Sequence, residues 1–126
     1  MLGIRNASKL EKLWASTTLK AVLPVSSEEF FALTGPMEEK RDCRRAYERQ
    51  YLRRRAVVNY EGESFGVYLQ DCSRMGLGLI SPIQFFPCQQ IQICMDNRRI
   101  YELEIRRCRR LAERCYECGT IFILGA

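Results

Sequence analysis

The 126-residue chain contains no histidine. That removes Ser-His-Asp and Cys-His nucleophilic machinery, His-ligated zinc and the commonest general base near neutral pH. An enzyme here would have to work with carboxylates, thiols or lysines alone, and no paired carboxylates stand at a recognisable spacing. The reading is a protein that is not an enzyme. Long hydrophobic runs are missing too: no stretch of apolar residues exceeds four, against about 20 for a membrane span and about 7–15 for a signal-peptide core. We therefore expect a soluble, cytoplasmic protein with no membrane partner. There is no internal repeat and no low-complexity segment. Seven cysteines, an odd number scattered along the chain, suggest reduced thiols and not a disulfide framework. Cys115 and Cys118 form a Cys-x-x-Cys, but a zinc site wants four ligands and the second pair is absent. Residues three apart on a strand also face opposite sides of the sheet. No metal and no cofactor are expected.

What is present is ordinary globular material, 47% hydrophobic and 28% charged, enough for one modest core. The net charge of +5 favours an anionic partner.

The chain divides by texture. In residues 1–44 the apolar positions Leu10, Leu13, Trp14 and Leu19 predict a short amphipathic helix between Ser8 and Lys20, weakened by Ser16-Thr17-Thr18. After Pro24, Ser26 and Glu29 form a capping box with Val25 and Phe30 as a hydrophobic staple, predicting a second helix to about Leu33. Gly35 is expected in the left-handed position that closes it, and Pro36 to open a third helix from Met37 to about Glu48. Beyond Tyr51 the β-branched, aromatic and alternating segments predict six strands, at about 54–60, 64–70, 77–81, 90–95, 99–109 and 114–123. Glu61-Gly62-Glu63 and Asp96-Asn97 read as hairpin turns. So few strands protect their edges best by closing, so the fold class is mainly β: a six-stranded antiparallel barrel preceded by short N-terminal helices. The predicted organisation is a helical segment over 1–44 and a barrel domain over 45–126.

Two features carry chemistry. From Lys40 to Arg55 there are eight basic residues against Asp42 and Glu48, a local net of +6 that exceeds the charge of the whole chain. All but one are arginine, whose planar fork grips phosphate and the O6/N7 edge of guanine and stacks on base planes. The second is the polar turn Asp71-Cys72-Ser73-Arg74-Met75-Gly76 after a predicted strand, in which Asp and Ser side chains can satisfy turn amides and Gly76 can adopt positive φ. A further basic segment, Arg98 to Arg114, holds seven arginines against three glutamates. Its Arg106-Arg107 and Arg109-Arg110 pairs resist strand alternation and suggest a bulge. One of Arg107 or Arg109 is a candidate to close a ligand pocket from the far side.

An Arg-x-x-x-Arg element just before a first strand, here Arg49-Gln50-Tyr51-Leu52-Arg53, followed by an Asp-x-Ser-x-x-Gly turn, resembles the PilZ domain family. Tyr116-Glu117-Cys118-Gly119-Thr120-Ile121-Phe122 is similar to that family's closing strand, and the resemblance spans about residues 45–123. Arg45-Ala46-Tyr47-Glu48-Arg49 offers a second register of the same motif. The resemblance implies a receptor for the bacterial second messenger cyclic di-GMP. Arg49 and Arg53 would meet phosphates and guanines, with Arg54 auxiliary. Asp71 would accept from guanine N1 and N2, Ser73 would add a hydroxyl contact, and Gly76 would let the backbone turn tightly near the ligand. It also implies a monomer or homodimer that changes conformation on binding and regulates a protein partner of motility, polysaccharide or virulence systems. Two rivals explain part of the sequence: a basic barrel binding single-stranded nucleic acid on Tyr47, Tyr51 and Tyr60, and a PilZ-like adaptor that binds no nucleotide. Nucleic acid is the lesser expectation because it leaves the Asp71–Gly76 turn unexplained.

Overall fold

A computed structural model of the chain describes residues 10–37, 48–95 and 99–123. Its elements are helix α1 (residues 10–15), β1 (Leu19–Lys20), α2 (Ser27–Ala32), β2 (Gln50–Tyr60), β3 (Glu63–Cys72), β4 (Leu77–Ser81), β5 (Gln90–Cys94), β6 (Ile100–Ala112) and β7 (Cys115–Phe122). Strands β2 to β7 are antiparallel and run β3-β2-β5-β6-β7-β4, and pairing of β4 back onto β3 closes the barrel. The period of two along each strand builds the core. Val58, Val67, Leu69, Leu79, Ile93, Leu103 and Ile105 point inward with no exposed surface. Their neighbours in the chain face outward, which is where every charged group of interest must go.

The six predicted strands are all present. The β2–β3 connection is the two-residue turn Glu61–Gly62, with φ of 50° and 80°, the mirror-image turn whose twist matches the flanking strands. Strand β2 begins four residues earlier than expected because Gly35–Met37 pairs with its start. Tyr51 N–H donates to the Gly35 carbonyl and Met37 N–H to that of Arg49, each at 2.9 Å. Pro36 thus sits in a β-bridge to Gln50 and does not open a helix. The rest of the expected third helix, and the Asp96-Asn97 turn, lie outside the described residues.

The N-terminal segment packs on the outside of the barrel. Helix α1 stops at residue 15, where the Ser16 and Thr17 hydroxyls turn back onto the Leu13 and Trp14 carbonyls at 2.9 and 2.7 Å. The Ser8–Lys20 helix is therefore shorter than predicted. Leu19–Lys20 instead pairs in parallel with Phe65 and Gly66, covering the edge of β3 that β4 leaves open. Gly66 has no side chain because the Trp14 ring lies over it: a Cβ there would stand 3.0 Å from the indole. Helix α2 forms as predicted, with the Ser26 hydroxyl accepting from Glu29 N–H at 3.2 Å. It ends in extended backbone at Leu33, and Gly35, at φ 83°, turns the chain two residues later instead of capping the helix. Phe30 is buried against Tyr68, whereas Val25 remains 45% exposed. Among the described residues no helix is long and apolar enough to cross a membrane.

Candidate functional site

The outer wall of the barrel carries the site. A bulge in the β3–β4 ladder between Leu69 and Asp71 breaks the alternation, so Gln70 and Asp71 both reach the outer face. Asp71 is buried there, and its Oδ1 accepts from Arg49 Nη1 at 2.6 Å. This charge-assisted bond joins the two sequence features across 22 residues. Next to them stand two glycines. Register places Asp71 opposite Gly78, Gly78 opposite Gly119, and Gly119 opposite Arg107, a row that crosses β3, β4, β7 and β6. A Cβ on Gly78 would stand 2.7 Å from an Asp71 carboxylate oxygen, and one on Gly119 would stand 3.0 Å from Arg107 Nε. The glycines leave a bare floor over which the two charged side chains lean. A cavity of about 140 Å³ opens above it, lined by Met37, Arg49, Asp71, Arg107 and Glu117 among others.

The remaining predicted residues lie around this floor. Arg53 is not in the cavity lining: its guanidinium stacks on the rings of Phe30 and Tyr51, 4.3 and 5.0 Å from their centroids. Its Nε is buried without a hydrogen-bond partner, and burial lowers the guanidinium pKa, with Tyr51 and Asp71 opposing. Arg54 is exposed and close enough to Cys72 to act on its thiol. Ser73 serves its own turn, its Oγ accepting from Met75 N–H at 3.1 Å and its N–H donating to the Gly76 carbonyl at 3.0 Å. Gly76 does not adopt the positive φ expected of it. It is required for a different reason: a Cβ there would overlap the Thr120 carbonyl oxygen, so glycine is what allows β7 to approach the turn. Arg45 lies outside the described residues.

The scan of family models matches the PilZ domain over residues 44–124, well over half of the chain. The chain belongs to the PilZ domain family. PilZ domains form a cyclic di-GMP receptor family, a binding family and not an enzyme family. A search of the curated proteins finds no match.

Sequence reasoning missed two parts of this PilZ domain's candidate site. Gly78 reads as an ordinary strand residue, although a glycine inside a strand is itself a signal of close approach, and Gly119 reads as part of the closing strand without a place at the site. The second is a polar relay on the same face, where Glu117 accepts from Gln70 Nε2 at 3.1 Å and from Arg109 Nη2 at 2.8 Å. The predicted bulge is present, with the β6–β7 register shifting between Ile105 and Arg107. A larger cavity of about 290 Å³ sits at the β2–β3 turn, lined by Glu61, Glu102 and neutral residues. Its acidic rim does not suit an anion. Cys115 packs outward on Ala21, Phe30 and Ile80, while Cys118 faces the core beside Cys108, with sulfurs 3.1 Å apart. Burial raises both thiol pKa values, most strongly that of Cys118, where the Cys108 contact adds to it.

Proposed function

We propose that this PilZ domain is a cyclic di-GMP receptor, holding the ligand through Arg49, Arg53, Asp71, Ser73 and Gly76 with Arg54 at the margin. The observation that carries this reading is the 2.6 Å Arg49–Asp71 contact, which unites the Arg-x-x-x-Arg segment with the Asp-x-Ser-x-x-Gly turn. A guanine can take the Asp71 carboxylate through N1 and N2, freeing Arg49 for a phosphate. At about 140 Å³ the cavity is below the roughly 300 Å³ at which pockets for drug-sized ligands begin, so it accepts one part of the dinucleotide.

The output is conformational. Arg53 is stowed against Phe30 of α2, and to reach the ligand it must leave that ring. Ligand binding and α2 docking thus compete for one guanidinium, and a ligand that prefers the released state shifts the population toward it. Helix α2 and the described residues around it then present a changed surface to a protein partner. Of the three aromatics in the nucleic-acid reading, Tyr60 is turned edge-on to Phe85 and accepts from Gln89, Tyr51 lies against the Arg53 guanidinium, and Tyr47 lies outside the described residues.

Calorimetric titration of the wild type, Arg53→Ala and Asp71→Ala with cyclic di-GMP tests the site, and hydrogen exchange over residues 27–32 tests the output. Binding lost in both variants, with faster exchange of α2 in the liganded wild type, is the expected result. Full affinity in Asp71→Ala would refute the site assignment, and unchanged exchange the output.

A further inference from the structure

On the reading that the ligand is a cyclic dinucleotide, we propose that Arg107 is a further ligand-binding arginine, supplied by β6 outside both sequence motifs, and that it takes a phosphate oxygen. The charge pattern of the cavity isolates it. Asp71 is taken by Arg49, and Glu117 by Arg109 and Gln70. Arg107 lines the same cavity and has no ion pair among the described residues. Arg107 is exposed, so an accessible cation at a pocket whose carboxylates are already matched is open to an incoming anion.

Its placement follows from the backbone. The bulge absorbs Arg106, which turns to Glu104 at 3.4 Å, and returns Arg107 and Arg109 to the outer face with Cys108 between them facing in. Arg109 meets Glu117 directly across the β6–β7 pair; Arg107 meets Gly119, whose missing side chain lets the arginine lie across β7 toward Asp71. Two arginines with the same spacing to the strand thus have different fates, decided by what β7 offers each.

The test is calorimetric titration with cyclic di-GMP of the wild type, Arg107→Ala, Arg107→Lys and Arg106→Ala, with thermal unfolding of each. Loss of a charge-assisted hydrogen bond predicts a roughly 10- to 100-fold weaker Arg107→Ala at unchanged melting temperature. Lysine binds phosphate as a point charge, so Arg107→Lys should stay within about 3-fold of the wild type, and Arg106→Ala, whose arginine pairs with Glu104 away from the cavity, within about 2-fold. Arg107→Lys as weak as Arg107→Ala would indicate a bidentate contact, to two phosphate oxygens or to a guanine edge, and overturn the assignment to a single phosphate oxygen. Wild-type affinity in Arg107→Ala, or an equal loss in Arg106→Ala, would overturn the role of Arg107. Failure of the wild type itself to bind would refute the receptor reading and this inference with it.

Discussion

Substitution of Gly76 by alanine separates packing from ligand contact as the reason for a glycine at this position. The added Cβ would overlap the Thr120 carbonyl oxygen and stand 2.7 Å from Ile121 Cα. Both are backbone atoms, so neither can swing aside and β7 as a whole must shift. Overpacking of this kind costs about 1–3 kcal/mol. The shift also strains the bonds that fasten the turn, Phe122 N–H to the Met75 carbonyl at 2.7 Å and Thr120 Oγ1 to the Leu77 carbonyl at 2.9 Å. Losing one of them adds about 1 kcal/mol. A total of about 3 kcal/mol, at about 4 °C per kcal/mol for a domain of this size, lowers the melting temperature by about 12 °C. Circular dichroism melts without ligand measure this directly. Gly62→Ala is the comparison: its Cβ meets nothing within 4 Å, but φ is 80°, so it should lose about 1–2 kcal/mol from backbone strain alone. A Gly76→Ala melt within about 2 °C of wild type would refute the packing argument.

Other outcomes follow from the same geometry. Phe30→Leu keeps α2 buried but removes the ring under Arg53, and releasing a cation–π contact of about 1–2 kcal/mol should tighten cyclic di-GMP binding about 5- to 30-fold; unchanged or weaker binding in the titration would refute the competition between α2 and ligand. Asp71→Asn leaves Arg49 facing a neutral amide and should cost about 1–2 kcal/mol in urea unfolding, with the slope of the transition unchanged. Raised thiol pKa values leave less thiolate at any pH below them, so alkylation near neutral pH should mark exposed Cys88 well before Cys115 and Cys118, whose rates keep climbing as pH rises through the ordinary thiol range. Peptide mass spectrometry reads the order, and early labelling of Cys118 would contradict its burial.

The barrel was legible because its strands obey a period of two over long stretches, as in Val58, Val67, Leu69, Ile91, Ile93, Leu103 and Ile105. The Glu61–Gly62 turn and the Ser26 cap were legible because both depend on local chemistry alone. Less could be read where a distant strand decides. Nothing near Gly76 in the sequence announces that Thr120 presses on it, and nothing near Gly78 says that it makes room for Asp71. Leu19–Lys20 joined a helical pattern in sequence but found the open edge of β3 in space, and two hydroxyls at 16 and 17 were enough to end α1. The motifs named Arg49, Arg53 and Asp71 as one candidate site but did not announce the Arg49–Asp71 ion pair, and the position of Arg53 against Phe30 depended on tertiary packing of α2.

The central claim is most directly tested by titrating the wild-type chain with cyclic di-GMP in a calorimeter, with GTP as the control nucleotide. Saturable binding of the cyclic dinucleotide, with none by GTP under the same conditions, is the predicted result. No heat from cyclic di-GMP, confirmed by equilibrium dialysis, would contradict the account and leave a PilZ domain that works through protein contacts alone.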